Sequence, residues 1–444
     1  MKKVITYGTY DLLHYGHIRL LKRAKALGDY LIVGVTSDDF DKTRGKIDVH
    51  QSLEERVAAV KATGLADQVI IEEYEGQKID DIRKYNVDIF TVGSDWLGHF
   101  DYLNEFCKVV YLDRTKGVSS TELRSSQSGV KLGLVGYSSF LNKFYNETRF
   151  VKSITVSGLC SRDLSKLQNI TSEIDLVTDN YQELLDSVDA VYIHSHPEDH
   201  FMQCKEALIK GKHVLCESPV AKTKDGIETL YRLSKENNCT LVEGIRTAYL
   251  TGYFRMLLLL KSGIIGKVTS IDSTCTSLST YGNFGDKKYI WGALEAWGPT
   301  ALLPVFQILG TKFTSIDIFS IPSVSYPNVD GFTKLSFNYP DSTATIKVGT
   351  TIKSESQLLI SGNKGYIFVP SPWWKTDYFE VRYEDSNLNK RYFYQIEGEG
   401  IRYELVKFVA AVNGEKPDYY LDRSITTKIA EIMEMVNNNG DKKV

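Results

Sequence analysis

Two α/β domains in series, followed by an α+β domain with a large, open, mainly antiparallel sheet, are what this 444-residue chain predicts. Three observations carry that expectation. Short apolar strands alternate with amphipathic helical segments over residues 1–127; the alternation breaks and restarts after residue 129; and beyond residue 266 period-two runs replace it. The chain is also too long for one ordinary hydrophobic core.

In order, "KKVITYG", "YLIVGVT", "QVIIEE", "VDIFTVG" and "KVVYLD" read as buried parallel strands, and "HIRLLKRAKALG" and "SLEERVAAVKATG" as helices between them. This defines a first domain over 1–127. The small, polar "RSSQSG" (124–129) is a linker. A second domain over 128–245 follows, with strands "VKLGLVGYSS", "SITVSGLCSRD", "AVYIHSHP", "HVLCESP" and "CTLVEGI" and helices "DHFMQCKEALIKG" and "DGIETLYRLSKENN". The third domain, 246–444, carries the alternating strands "KVTSIDSTCTS", "TKLSFNY", "STATIKVGTT", "SQLLISG" and "YFEVRYE". Its closing helices, "IRYELVKFVAAVNG" and "DRSITTKIAEIMEMV", are expected to pack back on the second domain.

A hydrophobic fraction of 42%, a charged fraction of 25% and a net charge of −3 leave no polybasic surface, which excludes nucleic acid or anionic lipid as the main partner. Anionic substrates must then be gripped locally. "MKKVITYGTYD" meets polar residues before any signal-length apolar run, and "FRMLLLL" is too short to cross a bilayer, so a cytoplasmic location is expected. Six scattered cysteines without a C-x-x-C pair fit reduced thiols.

The stretch "YGTYDLLHYGHIRLLKRAK" sets His14 and His17 three residues apart where a strand gives way to a helix. A helix amino terminus gathers partial positive charge and backbone N–H groups, a setting for phosphate. A metal pair is the alternative, though no third ligand lies nearby in sequence.

"GTYDLLHYGH" resembles the H-x-G-H signature of the nucleotidyltransferase superfamily of cytidylyltransferases, and "RTKGVSSTELR" resembles its second signature, R-T-x-G-[IV]-S-[ST]-T. The resemblance is closest to the glycerol-3-phosphate cytidylyltransferases and covers residues 1–127, including "VGSDWLGHFD". It implies a small Rossmann-like nucleotidyltransferase domain. An acceptor phosphate oxygen would attack the α-phosphate of CTP in line and release pyrophosphate, with catalysis by positioning and charge stabilisation. His14, His17, Lys46 and Arg114 would be catalytic; Thr9, Tyr10, Gly16, Ser119, Ser120 and Thr121 would hold nucleotide; and Arg56 would meet the acceptor phosphate. Helix capping is the plain alternative for Ser119, Ser120 and Thr121. Mg²⁺ would accompany CTP, with no protein ligand assigned. One departure bears on the acceptor: Gly64 stands where glycerol-phosphate members carry an arginine before the aspartate aligned with Asp67. A larger polyol or ketose phosphate therefore competes with glycerol 3-phosphate.

Residues 130–444 resemble the Gfo/Idh/MocA oxidoreductases through "LGLVGYSS", "LCSRD", "SHPEDH", "HVLCESPVAKT", "LKSGIIGKV" and "ISGNKGYIFV". This implies a second Rossmann domain, 128–245, and an α+β domain with the open sheet. Of the dinucleotide fingerprint, Gly136 keeps the first position while Ser138 and Leu141 replace the other glycines. Ser161 and Arg162 follow the second strand, where an acid would select NAD; they suit the 2′-phosphate of NADP, or form an exposed turn. The family's E-K-P motif reads Glu217-Ser218-Pro219 here, and "LEAWGPT" puts Glu295 for the aspartate and Thr300 for the histidine of D-x-G-x-H. Both usual proton donors are absent. His196 and Tyr249 are nearby candidates, for catalysis or for packing, and His196 and Glu217 are candidate cofactor contacts.

The expected function is thus a cytidylyltransferase joining CTP to a phosphorylated polyol or sugar, for surface-polymer synthesis. The second half is either an NADP(H)-dependent reductase or a degenerate domain used for oligomerisation or acceptor recognition. Both resemblances imply a homo-oligomer.

Overall fold

The computed structural model describes residues 1–11, 13, 15–37, 51–74, 76–94, 100–112, 129–151, 153–278, 291–394, 396–414 and 421–439. The chain divides into two compact units, Met1–Gly129 and Val130–Val444.

The first unit runs β1 (Lys3–Gly8), α1 (Tyr15–Lys25), β2 (Tyr30–Thr36), α2 (Leu53–Ala62), β3 (Gln68–Glu72), α3 (Gln77–Tyr85), β4 (Ile89–Gly93) and β5 (Lys108–Leu112). Its sheet is parallel throughout, in the order β3-β2-β1-β4-β5. Alternation along β1 sends Val4 to one core with Leu21, Val33 and Val60, and Ile5 to another with Ile82, Phe90 and Leu103. Helices cover both faces, so β1, β2 and β4 read as nearly continuous apolar runs. Between β1 and β4 the order reverses, and the crevice beyond the carboxyl ends of these strands is where such folds take ligands.

The second unit holds two sheets. β6 (Val130–Gly136), β7 (Ile154–Cys160), β8 (Leu176–Thr178), β9 (Ala190–His194), β10 (His213–Glu217) and β11 (Leu241–Gly244) form a parallel sheet in the order β11-β10-β9-β6-β7-β8. α4 (Phe140–Thr148), α5 (Gln168–Thr171), α6 (Tyr181–Ser187), α7 (Pro197–Ile209) and α8 (Lys224–Glu236) connect these strands. α9 (Thr251–Lys261) leads into the second sheet.

That sheet has eight strands: β12 (Val268–Thr276), β13 (Ser315–Pro322), β14 (Asp330–Asn338), β15 (Thr343–Gly349), β16 (Leu358–Gly362), β17 (Tyr366–Val369), β18 (Tyr378–Arg382) and β19 (Lys390–Phe393). The order is β13-β14-β15-β12-β16-β17-β18-β19, antiparallel except for β12 against β15. α10 (Ala293–Leu309) covers its inner face, where Leu335, Phe337, Ile346 and Val348 are buried.

The closing helices α11 (Ile401–Val412) and α12 (Arg423–Asn439) return to the parallel sheet's helices. Arg402 on α11 bonds Glu147 of α4 at 3.0 Å, and Thr426 on α12 meets Tyr231 of α8 at 2.5 Å. Among the described residues no helix is long and apolar enough to cross a membrane.

Candidate functional site

In the first unit, β1 delivers the chain through Thr9, Tyr10 and Asp11 to the head of α1, beside the β1/β4 switch point. His17 lies in the first turn of α1, half-buried, its imidazole edge-on to the Tyr10 ring at 5.5 Å. Gly16 precedes it on the same turn. A helix start at a strand's carboxyl end gives this imidazole the positive end of the helix dipole as its neighbour.

Two of the residues expected to meet ligand are buried here. Tyr10, expected to hold nucleotide, is 2% exposed and packs in the core with Val4, Leu21 and Val33. Burial pushes its phenol above the usual range. Arg56, expected at an acceptor phosphate, is fully buried. Its Nε donates to the Gln51 carbonyl at 3.1 Å, and its Nη1 donates to the Thr9 and Thr36 carbonyls at 2.7 and 2.8 Å. One guanidinium thereby ties the β1–α1 turn to the end of β2 and the approach to α2. A capping box between Ser52 and Glu55 begins that helix.

Asp11 was not singled out by motif reasoning. It is 3% exposed, and its Oδ1 accepts from the Gln51 N–H at 3.1 Å, closing the same network. Its signal was a carboxylate inside the turn "GTYDLLH". Gly64 has a left-handed φ of 66° and nothing within 4 Å of where a Cβ would stand. Asp67 is used structurally, accepting from Lys25 and the Leu31 N–H, and Lys25 holds its carboxyl below the ordinary range. His14, Lys46, Arg114, Ser119, Ser120 and Thr121 lie outside the described residues.

In the second unit, Gly136 ends β6 with φ 140°, and a Cβ there would stand 2.3 Å from the His194 carbonyl oxygen. Only glycine permits that approach of β6 to β9. Ser138 Oγ accepts from the Phe140 N–H at 3.2 Å, capping the first amide of α4, while Leu141 is fully buried. The Phe140 ring stacks on His194 at 4.9 Å, and the Arg246 guanidinium lies 4.8 Å from its centroid. After β7, Ser161 Oγ donates to the Asp163 carbonyl at 2.9 Å, and Arg162 is exposed. The turn, the helix start and the exposed arginine fit a dinucleotide, with a serine hydroxyl covering one amide that a glycine would leave bare.

Glu217, at the end of β10, accepts from Tyr192 Oη at 2.6 Å and Arg246 Nη2 at 3.3 Å. Ser218 Oγ donates to Glu243 at 2.6 Å. Burial pushes the Glu243 carboxyl up to about 7 against the pull of that bond. Tyr249 donates to the Glu243 carbonyl at 3.2 Å and is buried. His196 caps α7, its Nδ1 accepting from the Glu198 N–H at 3.3 Å; burial and the Lys222 cation bring it down to about 4. Lys222 was not noticed in the sequence. Its ammonium bridges Glu198 of α7 and Glu295 of α10, the latter at 2.6 Å. Thr300 lies farther along α10, half-buried.

The strand–turn–helix with His17 at its head fits a nucleotidyltransferase of the cytidylyltransferase class, and comparison with known proteins gives that class. The cytidylyltransferase-like family matches residues 5–126, and the NAD-binding Rossmann domain of an oxidoreductase family (Gfo/Idh/MocA) matches residues 130–245. Glycerol-3-phosphate cytidylyltransferase of Bacillus spizizenii is 49% identical over 130 residues, 29% of this chain and 100% of that protein. The Staphylococcus aureus enzyme of the same name is 48% identical over 129 residues, 29% of this chain and 97% of its own length. The chain belongs to the cytidylyltransferase family through this first unit, and carries an oxidoreductase-family unit behind it. KijD10, a 3-ketoreductase from Actinomadura kijaniata solved with NADP and TDP-benzene, shares the fold of the remainder with a TM-score of 0.60 and 17% identity, covering 70% of this chain and 98% of that one.

Proposed function

We propose that the first unit transfers the cytidylyl group of CTP to the phosphate of a polyol or sugar. The observation that carries this reading is His17 in the first turn of α1, at the switch point of the parallel sheet. Its imidazole would donate to the triphosphate as negative charge grows on the leaving pyrophosphate, while the acceptor phosphate oxygen attacks from the opposite side. His14, Lys46 and Arg114 would add donors and charge, with Thr9, Gly16, Ser119, Ser120 and Thr121 around the nucleotide. Arg56 and Asp11 would position the turn. Mg²⁺ would accompany the triphosphate. The bare Gly64 supports an acceptor other than glycerol 3-phosphate, such as a larger polyol or ketose phosphate. The product, a CDP-activated polyol or sugar, suits surface-polymer synthesis in a cytoplasmic homo-oligomer. Pyrophosphate release from CTP across glycerol 3-phosphate, pentitol phosphates and ketose phosphates tests the reading. Release with none of them would end it.

For the second unit the reading is an NADP(H)-dependent reductase acting on a ketose or its CDP derivative. The exposed Arg162 beyond β7 favours it, as a partner for a 2′-phosphate. Gly136 and Ser138 would line the pyrophosphate turn, Ser161 the ribose end, and His196 and Glu217 the far end of the cradle. When bound, the dinucleotide supplies hydride. The residues around it orient the substrate and provide the proton.

A further inference from the structure

Reduction of a carbonyl needs a proton for the new hydroxyl, and most side chains near the ends of β9 and β10 are committed elsewhere. Ser218 donates its hydroxyl proton to Glu243, and Tyr249 donates to the Glu243 carbonyl. His196 is neutral at pH 7, with Nδ1 used in capping α7. Arg246 is held on Glu217, and a guanidinium does not give up its proton in proteins. Thr300 has only an alcohol to offer.

Lys222 differs from all of these. Its ammonium is bound by one carboxylate from α7, next to His196, and by another from α10, five residues before Thr300. The two carboxylates use two of its three N–H bonds, and the third has no hydrogen bond among the described residues. The side chain keeps 22% of its surface exposed, so the residue is not sealed in the core. Trp291, edge-on to His196 at 5.6 Å, walls the same corner.

We propose that Lys222 is the proton donor for carbonyl reduction in the second unit, oriented by Glu295 and Glu198. This rests on the reductase reading above. As the carbonyl carbon accepts hydride from a reduced nicotinamide, the C=O π pair moves onto oxygen. That oxygen takes a proton from Lys222 Nζ, the nicotinamide is left oxidised, and the neutral amine recovers a proton from solvent. Burial opposes the charge on Lys222, but Glu295 and Glu198 outweigh it and hold the ammonium above its usual range. Such a donor is charged at rest and yields its proton only to a strong base, which an alkoxide is.

The test uses full-length wild type, Lys222→Met and Lys222→Arg. NADPH binding is read by energy transfer from tryptophan to nicotinamide. Hydride transfer is read in single turnovers with dihydroxyacetone phosphate and ribulose 5-phosphate, each with and without CTP. Lys222→Met should bind NADPH within twofold of wild type and transfer hydride at least 100-fold more slowly, without the solvent deuterium effect expected of wild type. Lys222→Arg, which keeps the charge and both ion pairs, should stay within tenfold of Lys222→Met. Lys222→Met working within threefold of wild type would overturn the proposal; if that variant does not fold, a wild-type rate in Lys222→Arg would do so. Wild type that fails to bind NADPH, or reduces no ketone, would instead overturn the reductase reading and the proposal with it.

Discussion

Replacing Arg56 by lysine separates two roles for a residue that motif and structure describe differently. The guanidinium is fully buried and donates to three backbone carbonyls, those of Gln51, Thr9 and Thr36. A lysine is a point charge and holds one of these well, leaving about two charge-assisted bonds lost at roughly 1.5–3 kcal/mol each. The expected loss is therefore about 3–6 kcal/mol. For a unit of 129 residues, that lowers Tm by roughly 10–20 °C. Because Arg56 ties Thr9, in the turn that leads from β1 to the site, to Thr36 at the end of the neighbouring β2, KM for CTP should rise together with KM for the acceptor. Calorimetry of the full chain, with both KM values measured at 15 °C where the variant stays folded, checks the prediction. An unchanged Tm with only the acceptor KM raised would refute the reasoning and return Arg56 to the acceptor phosphate.

His17→Ala should lower CTP turnover at least 100-fold while shifting Tm of the first unit by less than about 3 °C, since the ring is only half-buried at the edge of the Tyr10 ring; a loss of activity matched by unfolding would count against a catalytic role. Glu404 on α11 is 1% exposed, and burial together with the Glu217 charge pushes its carboxyl up to about 8, against the pull of Arg246. Between the ordinary carboxylate value and 8 the folded state binds the proton that the unfolded chain has released, so stability falls as pH rises through that window. Glu404→Gln should accordingly match wild type in Tm at pH 5 and exceed it at pH 9; a lower Tm at pH 9 would contradict this.

Where chemistry is local, the sequence was legible. The β–α alternation of residues 1–127 and its restart after 129 define both parallel sheets, because strands buried on both faces leave apolar runs that no surface segment carries. The period-two runs announced the large sheet, and only its one parallel pairing, β12 with β15, lies outside what alternation can tell. The place of His17 in the first turn of α1 was legible because the strand end and the helix start are local signals. The burial of Tyr10 and Arg56 was not legible, for the complementary reason. A motif gives residue types near a ligand, whereas burial depends on elements from elsewhere, and Arg56 meets Thr9 only once α2 packs beside β1 and β2.

The same limit explains Lys222. It lies 73 positions before Glu295 and 24 after Glu198, so no local pattern connects the three. Read by alignment, Ser218 and Thr300 are two losses and the second unit looks inert. Read in space, a cation stands between the α7 start and α10, held by carboxylates from both, within the corner that His196 and Trp291 close. A carboxylate-clamped ammonium of this kind is a weaker acid than a free one but stays protonated at rest, ready for the alkoxide that hydride addition creates, which suits it to the reductive step. Reduction toward a polyol is also the direction that a cytidylyltransferase making an activated polyol would use.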